Sequence, residues 1–184
     1  MSEFEDADIV RRSLSGDPHA FRDLFWRHGG SIHAYLARRA GRDVADDLVG
    51  DVWLRAFGGR ASYNEAYRDA RPWLYGIARL VLLEHWRHRA RPMPRIPAVV
   101  NDPWPEVDER LDVASRRIEL VAALGELTEE ERETLLLVAW EQLRPFEIAR
   151  VLALPESTVR NRLHRARTVM REQLQQSSDC GNDE

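Results

Sequence analysis

Apolar residues recur every three or four positions along most of this chain, and no stretch sustains a period-two alternation. That pattern argues against a half-buried sheet and predicts an almost all-α fold. One stretch interrupts it. Between Arg91 and Asp112 lie five of the nine prolines, Pro92, Pro94, Pro97, Pro103 and Pro105, among Asp102, Glu106, Asp108, Glu109 and Asp112. Proline fixes φ and removes a backbone donor, so residues 92–112 read as a stiff acidic linker. Two small helical domains, 1–91 and 113–176, flank it, and a disordered tail is expected over 177–184.

Within the first domain, Asp17-Pro18 can open a helix carrying Phe21, Leu24, Phe25 and His28 at helical spacing, and a second helix is expected over Ile32 to Arg39, ending near Gly41. In "DVADDLVGDVWLRAF", Val44, Leu48, Val52 and Ala56 form one stripe that Gly58-Gly59 ends. A polar, turn-prone segment, "GRASYNEAYRDA", follows. Then "RPWLYGIARLVLLEHWRHRAR" places Leu74, Ile77, Ala78 and Val81 along one face. Beyond the linker, "SRRIELVAALGEL" and "TEEERETLLLVAWEQ" read as helices, the second opened by Thr128 with Glu131 at the capping-box position.

The formal net charge of the 184 residues is -4, yet Arg160, Arg162, Arg165, Arg167 and Arg171 crowd into one segment. Pro145 to Leu152 makes a short helix burying Ile148, Ala149 and Leu152, Ala153-Leu154 a tight turn, and Pro155 suits the first position of the next helix. There, Val159, Leu163, Ala166, Met170 and Leu174 share the inward sector. The other side carries Ser157, Asn161, His164 and Thr168, flanked by Arg160, Arg165 and Arg171. Groups able to read base edges, bordered by groups able to hold phosphates, give the arrangement of a helix-turn-helix, whose second helix is expected to enter the major groove by its N-terminal residues; a basic solvated face on an ordinary helical hairpin is the alternative. Every cation in the chain is arginine, whose planar fork suits phosphate and guanine.

Other chemistries find little support. Cys180 is the single cysteine, which leaves no disulfide framework or thiol cluster and fits a reducing cytoplasm. The N-terminus "MSEFEDADIV" is acidic where a signal peptide is basic, and no apolar run approaches a bilayer span, so export and membrane insertion are not expected. Glu84, His85 and His88 could face one metal, but further ligands are not evident. Asp43, Asp46, Asp47 and Asp51 read instead as an exposed acidic face. No glycine-rich phosphate loop or Ser/His/Asp set emerges, and neither cofactor, metal nor catalytic residue is expected.

Three segments, in order, resemble the small extracytoplasmic-function (ECF) class of bacterial RNA polymerase sigma factors. "DVADDLVGDVWLRAF" is similar to the family's polymerase-binding helix, "RPWLYGIARLVLLEHWRHRAR" to its −10 helix, and "LTEEERETLLLVAWEQLRPFEIARVLALPESTVRNRLHRAR" to its −35-binding domain. The resemblance implies a region 2-like bundle docking on the β′ clamp helices of core polymerase and opening the −10 element. It also implies a region 4-like helix-turn-helix on the β flap and the −35 element, and an anti-sigma partner. Polymerase contacts then fall on Asp47, Leu48, Asp51 and Trp53. The melted −10 strand would meet Tyr63, Asn64, Trp73, Tyr75, Arg79, Trp86 and Arg87, since unstacked bases rest on aromatic faces. Ser157, Thr158, Arg160, Asn161, His164, Arg165 and Arg167 would meet the −35 duplex.

The chain departs from the family pattern at Leu80, where asparagine is common, around Glu84-His85, where an aspartate is usual, and at Arg144-Pro145. An unusual −10 preference and an altered entry to the first helix of the motif are therefore expected. A stand-alone helix-turn-helix repressor or activator is the alternative; it explains the C-terminal half but not the acidic helix or the aromatic-basic one.

Overall fold

The computed structural model describes residues 5–88 and 118–180, and the regular structure among them is helical. The expected linker 92–112 lies outside the described residues. The chain divides into two compact units, one drawn from the N-terminal helices and one from the C-terminal helices.

The N-terminal unit contains α1 (Asp6–Leu14), α2 (Arg22–Ala40), α3 (Arg42–Gly59) and α4 (Arg71–His88), with 3-10 turns at Pro18–Phe21 and Arg60–Ser62. Ile9 and Val10 of α1, Leu24, Ile32, Tyr35 and Leu36 of α2, Val52 and Ala56 of α3, and Leu74, Ala78, Val81 and Leu82 of α4 form its core. Two expectations are corrected here. Helix α1 was not foreseen, although Ala7, Ile9 and Val10 give it a buried side. Asp17-Pro18 opens only a 3-10 turn, and the two helices expected around Gly29-Gly30 are one, α2. Each glycine costs a helix about 1 kcal/mol; the buried residues on both sides of the pair offset that. The real break is Gly41, at φ +88°, whose N–H donates to Ala37 O at 2.9 Å while its carbonyl accepts from Ala45 N–H at 3.0 Å. One left-handed residue thus ends α2 and begins α3.

Asp6 ties the unit together. Its Oδ1 accepts from Arg27 at 3.0 Å; its Oδ2 lies 2.7 Å from His28 Nε2 and accepts the Ala70 N–H, at the start of α4, at 2.9 Å. Burial pushes this carboxyl's pKa up, but the hydrogen bonds from His28, Ala70 and Arg27 outweigh it and hold the pKa below the usual aspartate value.

In the C-terminal unit, residues 118–125 are helical (α5), followed by α6 (Glu129–Ala139), α7 (Pro145–Leu152) and α8 (Glu156–Cys180). The capping box at Thr128 forms as expected: Glu131 N–H reaches Thr128 Oγ1 at 3.3 Å, and Glu131 Oε2 accepts the Thr128 N–H at 3.2 Å. The buried Arg132 guanidinium donates to the carbonyls of Leu124 at 2.7 Å, Leu127 at 2.8 Å and Gly125 at 3.3 Å, capping α5 from α6. Leu124 and Leu127 pack with Ala166 of α8, flanked by Leu135, Val169 and Met170. Helix α8 runs to Cys180, into the stretch expected to be a disordered tail.

Arg132→Ala should destabilise the C-terminal unit by about 3 kcal/mol, since three carbonyls lose a charged donor, and Arg132→Lys should recover only part; denaturant melts of the full chain read both. For Asp6 the depressed pKa fixes the sign. Its contribution is present above the unfolded-state pKa and lost as pH falls through the lower native one. The stability gap between wild type and Asp6→Asn, open near neutrality, should therefore narrow below about pH 4.

Candidate nucleic-acid and partner interfaces

The helix-turn-helix is α7, a turn and α8. Helix α7 starts at Pro145, so Arg144 holds the N-cap position without a capping hydroxyl; Glu147 Oε2 accepts the Arg144 N–H at 2.7 Å. This half of a capping box explains how Arg144-Pro145 is tolerated. After α7, Ala153 adopts φ +54°, with Leu154 N–H donating to Ala149 O at 2.9 Å and Ala153 N–H to Arg150 O at 3.4 Å. This is a Schellman turn with alanine where glycine is usual. Pro155, expected at the first helical position, is instead the cap residue: its carbonyl accepts from Val159 N–H at 3.3 Å.

Along α8, Val159, Leu163 and Ala166 are buried and Met170 and Leu174 half-buried, while Ser157, Arg160, Asn161, His164, Arg165, Arg167 and Arg171 are exposed. Thr158 is half-buried in the first turn. Arg160 donates twice to Glu156 Oε1, at 2.6 and 3.0 Å, so it enters any DNA contact from an exposed ion pair. Such a pair is worth under about 1 kcal/mol, little hindrance to a phosphate or base that offers more.

On α3, Asp47 and Asp51 are exposed, whereas Leu48 is buried in the core. Trp53 is half-buried, edge-on to Phe25 at 5.2 Å and Phe21 at 6.3 Å. Leu54, one turn on from Asp51 and not singled out from sequence, is 72% exposed; on α2, Trp26 is 73% exposed. Apolarity placed on an acidic face is a signal that patterning could have raised. Asp46 pairs with His33 of α2 at 2.7 Å, so it braces two helices.

The residues expected to hold a melted strand separate by burial. Asn64 is exposed, and its Oδ1 accepts the Ala66 N–H at 3.0 Å, shaping the turn. Tyr63 is buried, its ring edge-on to half-buried Trp73 at 5.3 Å and its hydroxyl donating to Tyr67 O. Burial, and then the Asp6 charge, push that hydroxyl's pKa far up. Tyr75, 2% exposed, lies with its ring centroid 5.2 Å from that of Tyr35. It offers no face to a base; this corrects its assignment. Arg79 and Trp86 are half-buried on the flank of α4 that also holds Tyr75, while Arg87 is exposed on the outer side with Leu80, 51% exposed. Glu84, at the other departure, pairs with Arg55 of α3 at 2.5 Å, which holds its pKa below the usual carboxylate range.

One group among the described residues brings three potential metal ligands together: Asp6, His28 and Asp69. The hydrogen bonds of Asp6 are those given above, and Asp69 accepts from Arg71 Nε and N–H at 2.8 Å. Two guanidiniums at one carboxylate pair mark a structural network.

One unit with a basic helix-turn-helix and another with an acidic exposed helix face describe a two-domain transcription factor, and the family matches make it one of the sigma type. Sigma-70 region 2 matches residues 24–92, and sigma-70 region 4 matches residues 117–170. The ECF RNA polymerase sigma factor SigM of Mycobacterium tuberculosis is 33% identical over 169 residues, covering 90% of this chain and 82% of SigM. Among solved structures, CnrH in complex with the cytosolic domain of CnrY superposes with a TM-score of 0.62 at 26% identity, covering 92% of this chain and 97% of CnrH. The sigma factor RpoE in complex with the anti-sigma factor NepR, from Bartonella quintana, gives 0.62 at 19% identity over 84% and 96%, a likeness of fold. The chain belongs to the ECF RNA polymerase sigma factors, which are transcription initiation factors and not enzymes. Region 2 sets aside the stand-alone regulator. No helix among the described residues is long and apolar enough to cross a membrane.

Replacing Glu156 by Gln frees Arg160 and removes a negative charge from the basic face of α8. The affinity of holoenzyme for promoter DNA should rise about two- to threefold at fixed salt. A fall, in a fluorescence-anisotropy titration, would mean that the pair instead holds Arg160 in place for reading.

Proposed function

We propose that the chain recruits core polymerase through the outer face of α3 and directs it by two DNA contacts, at −35 through residues 113–176 and at −10 through residues 1–91. The observation that carries this reading is α8: an exposed row of Ser157, Asn161 and His164 bordered by Arg160, Arg165 and Arg167, backed by a buried apolar side. Arg160 and Asn161 read bases, since guanidinium pairs with guanine and amide with adenine. Arg165 and Arg167 hold phosphates, while Ser157, Thr158 and His164 line the groove.

At −10, Asn64, Trp73, Arg79, Trp86 and Arg87 hold the strand, and Tyr63 supports the segment from within. Leu80 places an apolar side chain on this surface, which suits base stacking or a thymine methyl better than hydrogen bonding. Asp47 and Asp51, with Leu54 and Trp53, dock on the β′ clamp helices, and the C-terminal unit docks on the β flap. An anti-sigma factor holds the chain inactive in the cytoplasm; the solved complex of CnrH with the cytosolic domain of CnrY supports a protein partner of this kind.

Run-off transcription with core polymerase on a promoter library randomised at −35 and −10 tests the reading. Wild type should initiate from a restricted subset. Reversing Asp47 and Asp51 to Arg should lower core affinity at least about tenfold with helical content unchanged; unchanged affinity removes the α3 assignment. Asn161→Ala should keep core binding and relax one −35 position by about 1–3 kcal/mol, and if the preference among −35 sequences stays as in wild type, Asn161 is no reader.

A further inference from the structure

The segment joining α3 to α4 carries Tyr63 and Asn64, and its shape is set from two directions. Internally, Tyr67 N–H donates to Asn64 O at 3.1 Å and Asn64 receives Ala66 N–H. From outside, α1 meets it at three points. Arg11 Nε donates to Glu65 Oε2 at 2.7 Å, Asp6 N–H to Arg68 O at 3.2 Å, and Asp6 Oδ2 receives Ala70 N–H. Arg68 also pairs with Glu5, just ahead of α1, at 3.0 Å. Through Arg27 and His28 the same Asp6 carboxylate is anchored to α2. One buried side chain therefore fixes both the position of α1 and the end of the segment.

We propose that Asp6, assisted by Arg11, is a positioning residue for capture of the melted −10 strand: it sets the backbone of residues 63–70 and so the place where Asn64 and Trp73 meet the bases. The proposal deepens the −10 reading above and rests on it. Asp6 is buried and acts only through the segment. A connection of this length left loose would pay its ordering entropy when the strand is captured; tied to α1, it has paid it on folding. Asparagine at position 6 keeps the shape of the side chain but removes its charge and turns one of the two carboxylate oxygens into a donor, which faces either Arg27 or the pair His28 and Ala70 N–H, so it weakens the tie selectively. Arg11 is exposed, and Arg11→Ala loosens the same segment from a site the core does not need.

The test uses holoenzyme formed with wild type, D6N and R11A, reading core affinity and the permanganate reactivity of −10 thymines. Core affinity should stay within about twofold of wild type, while reactivity falls about tenfold for D6N and two- to threefold for R11A. Wild-type reactivity in both variants overturns the proposal. So does a parallel fall of core affinity and reactivity in both, which a merely structural role gives. If the wild-type chain itself binds core and leaves the thymines unreactive, it is the −10 reading that fails.

Discussion

Short helices leave backbone donors and acceptors at their ends, and a chain built from eight of them among its described residues must satisfy those groups or forfeit the fold. This constraint explains the placement of several charges, of which Asp6, Arg132 and Glu147 are buried. Asp6 and Asp69 receive the N–H groups of Ala70 and Arg71 at the start of α4, Glu131 and Glu147 serve the starts of α6 and α7, and Arg132 serves the carbonyls ending α5. For Asp6, Arg132 and Glu147, a charge that would be costly to bury alone gains charge-assisted hydrogen bonds. The caps also fix chain direction: Asp6 decides where α4 begins, and Glu147 where α7 begins.

Much of this was legible, and the failures have physical causes. The Thr128 capping box and the inward row of α8 could be read because their signals are local, three residues apart or repeating at the helical period. The joining of two expected helices across Gly29-Gly30 could not, because what overrides glycine's weak propensity is burial of Leu24, Ile32, Tyr35 and Leu36 against distant helices. Helix α1 is hard to read because two turns give too short a period to count, and the hydrogen bonds that tie it to Glu65 and Ala70 reach residues more than fifty positions away.

The aromatic residues show the limit most clearly. Tyr75 and Trp73 are two positions apart in a helix, and composition treats them alike. Two positions on a helix differ by roughly 200°, so one can face the core while the other flanks it. Tyr35 settles which: its ring lies beside Tyr75, and Arg39 stacks on Tyr35 at 3.7 Å, filling that side of the bundle. Sequence pattern could name the candidate surface at −10 but could not remove its interior members. The same reasoning applies to α3, where Leu48 is core and Leu54, six positions on, is the leucine a partner can reach.

On the proposed reading, helix α3 serves two tasks without compromise. Val52 and Ala56 face inward, and Asp47, Asp51 and Leu54 face out. The lateral ties of α3 are the His33–Asp46 hydrogen bond and the exposed Arg55–Glu84 ion pair, which leave Asp47 and Asp51 without a hydrogen bond to another helix among the described residues. A partner approaching from the outer side meets charge and apolar surface already in position, on a helix whose register is held from behind by the core. Its binding energy then goes into association and not into reordering the unit.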